Sequence, residues 1–408
     1  MKVAFIIRKF PTLSETFILN QIIGLIDRGH SVDIYAIYSG DVKNTHHDFY
    51  KYNLSERTYY PPQVPYHPAA RILKAVYLFL KNLNRAPTLF RSLNIFKYGR
   101  QAASLYLFYL SLLLKKPQNY DIIHCHFGLM GLIGVDLRDL KLLTGKVVTS
   151  FHGFDVNVYP RLHGNEVYNR LIAKGDLYTV NSHFTANKLL EIGFNQNRIF
   201  KLPVGVNISY YNWFPTKYLS KETVNLLTIG RLVECKGIEY AIRAISKVIQ
   251  VYPNIMYKIV GEGQLKSNLE NIIQELGVQN QVKLVGGKTR QQLKQIYAES
   301  HIFILPSIIG SDGSQEGQGL VIQEAQAARL PVIATKVGGI PEGVIEGNSG
   351  FLVPERDVEA LAENLIYLLK YPEIWEEMGQ AGREFVTRNY SLENLNNRLL
   401  EIYKTITQ

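Results

Sequence analysis

Glu316 and Glu324 stand with seven residues between them, in the run Glu316-Gly-Gln-Gly-Leu-Val-Ile-Gln-Glu324. Gly317 and Gly319 lack Cβ atoms, so a ligand could approach the main chain closely there. From Leu320 the pattern becomes helical. The first N–H groups of a helix, here at Leu320 and Val321, have no intrahelical partner and carry partial positive charge, which suits an anion such as a phosphate. Carboxylates beside a diphosphate would repel it. The two glutamates are therefore suited to accepting hydrogen bonds from sugar hydroxyls on either side of one. Upstream, Gly230-Arg231-Leu-Val-Glu-Cys-Lys236-Gly237 brings two cations into one loop before a helix, a second diphosphate-binding arrangement. His152 follows a strand pattern and precedes Gly153, which permits a sharp turn; Asp155 is a further candidate. Each piece has a plain reading by itself: a surface helix, two solvated charges, a structural histidine. Their combination is what suggests the chemistry of a nucleoside diphosphate sugar.

Strand-like runs must deliver these groups. His301–Leu305 is an apolar run of the buried parallel-strand type, followed by a flexible Gly/Ser loop and then the Leu320 helix. Val224–Ile229 delivers Arg231 and Lys236 ahead of a helix from Ile238 to Gln250. Lys146–Phe151 delivers His152. The N-terminus reads as strand (Val3–Ile7), loop, helix to Ile26 and strand (Ser31–Ile37), with Ser14 able to cap the helix. Strands alternate with helices in both halves, so the fold class is α/β with two doubly wound, Rossmann-like parallel-sheet domains. Strand alternation puts His124 and His126 on one face, without a third metal ligand in view. There is no Gly-x-Gly-x-x-Gly after a strand, as a nicotinamide-dependent dehydrogenase would need, and no phosphate-binding Gly-x-x-x-x-Gly-Lys-Ser/Thr loop.

In order and spacing, these motifs resemble those of the family 4 retaining glycosyltransferases, of the GT-B superfamily, over nearly the whole chain. The resemblance rests on the Glu316–Glu324 signature, Gly230–Gly237, His152-Gly153, and Gly338-Gly-Ile-Pro-Glu342. It implies GT-B architecture, with the two domains facing across a cleft. The implied boundaries are an acceptor-binding domain over 1–207, a linker over 208–221, a nucleotide-sugar-binding domain over 222–390, and a C-terminal helix over 391–408 returning to the first domain. It also implies a hexosyltransferase. Arg231 and Lys236 would take the diphosphate, Glu316 the hexose and Glu324 the ribose, with Gly261 lining the nucleotide pocket and His152 near the donor sugar. Retention would come from front-face attack, with the leaving phosphate taking the proton. No cofactor is expected beyond the donor substrate. No divalent metal is expected either, and no Asp-x-Asp occurs in the sequence. The first loop carries Pro-Thr-Leu-Ser-Glu-Thr where the family usually has Gly-Gly. In this it resembles a subgroup acting in exopolysaccharide assembly, including the colanic acid type. A saccharide acceptor, lipid-linked, follows from that resemblance. A non-catalytic sugar- or nucleotide-binding protein of the same fold is the alternative reading.

At 408 residues the chain can bury two cores, and its 46% apolar and 20% charged shares are those of a globular protein. Two cysteines, Cys125 and Cys235, give no disulfide framework and fit a reducing cytoplasm. Met1–Arg8 is too short an apolar run for a signal peptide. The formal charge of +10 is localised: residues 57–118 hold ten Lys or Arg and no Asp or Glu. An apolar, acid-free basic block suits an anionic membrane surface better than nucleic acid. Within it, Ala69–Arg85 reads as an amphipathic helix. At ~100° per residue, Arg71, Lys74, Lys81 and Arg85 share an arc of roughly 80°, opposite Ile72, Val76, Phe79, Leu80 and Leu83. A second helix-like run covers Gln101–Leu114. The plain reading is that both cover the first sheet with solvated basic groups. The missing acids favour peripheral membrane contact over residues 69–116, at the inner face of the plasma membrane.

Overall fold

The structure is a computed structural model, and it describes residues 1–12, 15–42, 45–211 and 223–407. Ser14, and the part of the expected linker beyond Tyr211, lie outside the described residues. The chain divides into two compact units. Unit 1 comprises Met1–Val180, Leu189–Phe200 and Asn396–Gln408; unit 2 comprises Asn181–Lys188 and Lys201–Leu395.

Unit 1 is built on seven strands: β1 (Lys2–Phe10), β2 (Ser31–Ser39), β3 (Thr58–Tyr59), β4 (Gln118–His126), β5 (Leu143–Phe151), β6 (Leu177–Val180) and β7 (Ile199–Lys201). Their order is β3-β2-β1-β4-β5-β6-β7. The registers are parallel, with Lys9 opposite Tyr38, Ile6 opposite Cys125 and Ser150 opposite Thr179. The order reverses between β1 and β4, the place where a doubly wound sheet opens a crevice at its carboxyl edge. Val3 to Ile7 are fully buried, because helices cover both faces of such a sheet.

Unit 2 has six strands: β8 (Val224–Ile229), β9 (Ile255–Val260), β10 (Val282–Leu284), β11 (Ile302–Leu305), β12 (Val332–Thr335) and β13 (Gly350–Val353). Their order is β10-β9-β8-β11-β12-β13, again parallel, and it reverses between β8 and β11. One apolar cluster packs the Ile238–Val248 and Val358–Lys370 helices on one side of this sheet; a second gathers β11, β12 and the Leu320–Ala327 helix. The last helix, Leu392–Thr407, begins among unit 2 residues, and from Asn396 onward it belongs to unit 1. There Tyr403 is fully buried, with its hydroxyl 2.5 Å from His124 Nδ1.

The basic block folds differently from its periodicity. The first helix is Pro68–Lys81, followed by a separate 3-10 turn at Leu83–Arg85. Most of its apolar arc faces outward: Ile72, Val76 and Leu80 are exposed, as are Leu73 (72%) and Tyr77 beside them, whereas Phe79 packs against the cluster of Ala75, Leu89, Phe108 and Tyr109. Arg71 and Lys74 turn toward neighbouring loops, while Lys81 is exposed. Arg71 donates to the carbonyls of Pro65 (3.0 Å), Ser104 (3.2 Å) and Tyr66 (3.2 Å), Lys74 donates to Gln63 O at 2.8 Å, and Arg85 donates to Ser111 O. The Pro65, Ser104 and Ser111 contacts are part-buried, where a carbonyl needs a donor and these long side chains supply it; the Tyr66 and Gln63 contacts are exposed. The second run is not one helix. It breaks at Leu105, which adopts φ 59°, into Arg100–Ala103 and Tyr106–Ser111, and Leu107 to Leu110 are buried. No helix among the described residues is long and apolar enough to cross a membrane.

Candidate active site

In unit 2, loops from neighbouring strands converge at the carboxyl edge of the sheet. β8 ends at Ile229 and leads through Gly230 and exposed Arg231 to a 3-10 turn at Glu234–Lys236. β11, its neighbour, leads into the Gly/Ser-rich loop. That loop is held in place, contrary to the expectation of flexibility. Ile308 N–H donates to Cys235 O (2.9 Å), Ser311 Oγ to Glu234 (2.6 Å), and Thr335 Oγ1 to Ser307 O. Ile309 is gripped at both ends of its peptide unit, its N–H by Glu355 (2.7 Å) and its carbonyl by Arg356 (2.8 Å). The chemical consequence is a direct ion pair between Lys236 Nζ and Glu316 Oε1, both side chains only 15% exposed.

Glu316 is fixed from behind by the loop after β12. Gly339 N–H donates to Glu316 O at 3.0 Å, and Gly338 (φ 56°) passes so close that a Cβ there would lie 2.0 Å from the same oxygen. That close approach is a physical requirement for the Gly-Gly of the Gly338–Glu342 turn. Gly317 and Gly319 are buried. Gly319 has φ 76° and caps the Leu320–Ala327 helix. Its missing side chain would point at Leu305 (3.3 Å) and Ile340 (3.4 Å), so the fold demands this glycine, whereas a ligand was the expected reason. Leu320 and Val321 occupy the first two helical positions, partly exposed, where main-chain N–H groups are available.

Glu324 lies one turn further on. Its Oε2 accepts from Tyr297 Oη at 3.0 Å, and burial raises its carboxyl above the usual range against the pull of that bond and of Arg290. Gly261, at the end of β9, packs on the Gly230 carbonyl and donates to Gly286 O at 3.1 Å, so it forms the rim beside Arg231. Two groups were not assigned a part from sequence. The Gln318 side chain accepts from Val204 N–H (2.7 Å) and donates to Val204 O (2.9 Å), clamping the chain entering unit 2 to the site loop. Glu342 accepts from Phe184 N–H (3.1 Å) and Lys201 Nζ (2.6 Å); burial opposes its charge, but these donors hold its carboxyl below the usual range.

In unit 1, His152 follows β5 and stacks on His126 with ring centroids 5.3 Å apart and planes 12° apart. His126 Nδ1 lies 3.1 Å from His152 Nε2, so one imidazole donates to the other. His126 in turn stacks on His124 at 4.6 Å, and His124 is bonded to Tyr403 and, at 2.7 Å, to Ser150. Phe17 (4.6 Å) and Phe127 (4.9 Å) close on His152. Burial pushes His124 and His152 down to about 3, and His126 well below its ordinary value. Burial thus favours the neutral imidazole in all three. His-x-His alternation already implied a shared face for the first two; His152 joins them because β5 is paired to β4. No group of three His, Cys, Asp or Glu among the described residues is arranged to hold a metal ion. Asp155 is buried, and accepts from the N–H groups of Gly128 (3.0 Å), His152 (3.1 Å) and Gly153 (3.0 Å). It fixes the turn that carries His152.

Comparison with known proteins agrees with this geometry. The description "Glycosyltransferase Family 4" matches residues 14–210, and "Glycosyl transferases group 1" matches residues 213–385. The chain is 33% identical over 408 residues, covering 100% of both chains, to WcaL of Salmonella typhimurium, a protein assigned to colanic acid biosynthesis as a glycosyltransferase. It is 35% identical over 370 residues, 90% of each chain, to the amylovoran biosynthesis glycosyltransferase AmsK of Erwinia amylovora. Among solved structures it is similar to a glycosyltransferase from Rickettsia africae (TM-score 0.72, 22% identity, covering 100% and 99% of the two chains). It is also similar to Anabaena HepE in complex with UDP and glucose (TM-score 0.70, 17% identity, 100% of both). The chain therefore belongs to the family 4 glycosyltransferases of the GT-B superfamily.

Proposed function

We propose that this chain is a retaining hexosyltransferase of exopolysaccharide assembly, moving a hexose from a nucleoside diphosphate sugar to a hydroxyl of a lipid-linked saccharide without a divalent metal. The observation that carries the reading is the convergence, on two adjacent strand ends, of Arg231, Lys236, Glu316 and the N-terminus of the Leu320–Ala327 helix. WcaL and AmsK, whose names place them in the synthesis of such polymers, support the pathway class; HepE, which binds UDP and glucose, supports the donor class.

Lys236 and Glu316 neutralise each other across their ion pair. A diphosphate gives Lys236 a second anionic partner, and Glu316 is released to accept from hexose hydroxyls. Arg231 and the N–H groups of Leu320 and Val321 take the other phosphate oxygens, and Glu324 takes the ribose hydroxyls. As the bond from the anomeric carbon to the phosphate oxygen breaks, these donors stabilise the charge developing on the leaving diphosphate. The acceptor oxygen attacks from the same face, and its proton passes to the departing phosphate oxygen. His152 offers a neutral imidazole as a hydrogen-bonding group for sugar hydroxyls. The outward apolar arc of the Pro68–Lys81 helix, with exposed Lys81 at its end and Arg91 nearby in sequence, supports attachment to an anionic membrane at the cytoplasmic face.

The test is thermal stabilisation by UDP, GDP, ADP and their common sugars, with and without EDTA, on wild type and Lys236→Ala. A ligand at a hundred times its Kd raises stability by about 2.7 kcal/mol. Stabilisation by one nucleotide in EDTA, lost in Lys236→Ala, is the expected result. Stabilisation that requires a divalent cation, or that survives Lys236→Ala, overturns the metal-free cation site. Absence of transfer and of donor hydrolysis with every sugar supports the non-catalytic alternative.

A further inference from the structure

We propose that a tyrosine-lined cavity in unit 1, at the carboxyl ends of β2 and β3, binds the inner sugar residues of the acceptor, so that the acceptor is an oligosaccharide and not a single sugar. The inference rests on the glycosyltransferase reading above and goes beyond it to the acceptor. The cavity has a volume of about 830 Å³, within the range of ligand sites, and Tyr38, Ser39, Tyr60, Tyr66, Arg71 and Tyr106 are among its walls.

Its chemistry favours a neutral sugar. Tyrosine rings present flat apolar faces to the C–H face of a pyranose, and their hydroxyls meet the sugar's hydroxyls. The Tyr106 hydroxyl is bonded to that of Tyr38, and the Tyr60 hydroxyl donates to Phe10 O at 2.9 Å, so these rings are fixed. Among the described residues, no carboxylate, lysine or histidine belongs to the wall. The cation of the described wall, Arg71, spends its Nε and both terminal nitrogens on the Pro65, Ser104 and Tyr66 carbonyls. The wall offers a diphosphate only this committed guanidinium, with Arg8 acting on Tyr106 from outside the wall, whereas unit 2 supplies two cations and a helix N-terminus.

Position sets the length and direction of the acceptor. Tyr38 and Ser39 end β2, while His152 follows β5, and the order β2-β1-β4-β5 puts three strand spacings between them. At ~4.8 Å per strand that is about 14 Å along the carboxyl edge, which one sugar ring does not span and a chain of several does. Tyr66, 98% exposed, forms the rim of the cavity, and the outward apolar arc starts at Ile72, immediately after Arg71. An acceptor carried on a membrane lipid would thus place its lipid-proximal sugars in the cavity and run its reacting end toward His152.

The experiment is saturation-transfer NMR on the full chain with lactose, cellobiose and maltose, with UDP and farnesyl phosphate as separate arms, on wild type, Tyr38→Ala and Tyr66→Ala. Tyr66 is already in solvent, so its removal leaves the fold intact. Transfer to sugar ring protons is expected in wild type and about fivefold weaker binding in each variant, with the UDP signal unchanged. Sugar signals equal in all three proteins, or none from protein that binds UDP, overturn the proposal. Farnesyl phosphate signals lost in the variants, with no sugar signals, also overturn it and assign the cavity to lipid. Sugar signals lost in the variants from protein that does not bind UDP count against the nucleotide-sugar reading while upholding the cavity.

Discussion

Lys236 and Glu316 are 80 residues apart in sequence and share one ion pair. Removing either leaves the other largely buried without its partner, which costs more than the pair's net worth. Glu316→Gln keeps the shape but removes the charge. If Glu316 accepts from the hexose hydroxyls as proposed, transfer is expected to fall by roughly a hundredfold, since that acceptor is weakened in the transition state. Single-turnover rates with saturating donor check this; an unchanged rate would remove Glu316 from the sugar site. The histidine stack makes a second residue-scale prediction. His124, His126 and His152 are held below their ordinary value by burial, so as pH falls the unfolded chain takes up protons before the folded one. Stability is full above about pH 6.5 and falls from there toward pH 3, at up to about 1.4 kcal/mol per pH unit per histidine. Denaturant titrations between pH 7 and 5 should show this slope, and His124→Asn should flatten it; a pH-independent midpoint would mean that the stack is solvated.

At the scale of elements, the site is a set of loops braced from behind. The turn after β12 supports Glu316 only because Gly338 has no Cβ. Gly338→Ala combines a left-handed backbone with a 2.0 Å clash against a carbonyl, and is expected to destabilise unit 2 by about 2 kcal/mol or more. Gln318 is buried, makes two hydrogen bonds with Val204 and donates a third to Gln323 Oε1 at 3.2 Å. Gln318→Ala leaves the part-buried N–H and carbonyl of Val204 without these partners, an expected loss of about 1–3 kcal/mol. Urea midpoints followed by tryptophan fluorescence report both, since Trp375 lies in the unit 2 core. The sequence made the strands and the motif loops legible, because fully apolar runs such as Ile302–Leu305 have one stable environment, the middle of a covered parallel sheet. It did not make the bracing legible. Which carbonyl Gly338 approaches, and that Gln318 reaches Val204, depend on contacts across more than a hundred residues in the second case.

At the scale of the whole molecule, the question is where the protein works. The Pro68–Lys81 helix presents Leu73 and Tyr77 to solvent in a segment without acidic residues. Vesicle sedimentation should show binding to phosphatidylglycerol vesicles that weakens as salt rises, because the basic contribution is screened. The pair Leu73→Glu and Tyr77→Glu should weaken it by roughly tenfold or more through lost apolar burial and added negative charge, with thermal stability unchanged. Equal binding of wild type and the double variant would show that this face is not the contact. The former run from Gln101 to Leu114 contributes nothing to that face in its middle, since Leu107 to Leu110 are buried.

The sequence by itself determined the α/β architecture, the family, and the identity of the charged groups in unit 2, because these follow from local periodicity and from motif spacing along one chain. Only the tertiary structure decided which way the Pro68–Lys81 helix faces, that Lys236 and Glu316 hold one another, that three histidines stack, and that a tyrosine cavity opens beside β2. Periodicity tells which residues lie opposite each other on a helix, not which side meets the protein. The inward side is the one where Arg71 and Lys74 meet loop carbonyls, the part-buried ones of Pro65 and Ser104 and the exposed ones of Tyr66 and Gln63, and Ile72, Val76 and Leu80 are left outside.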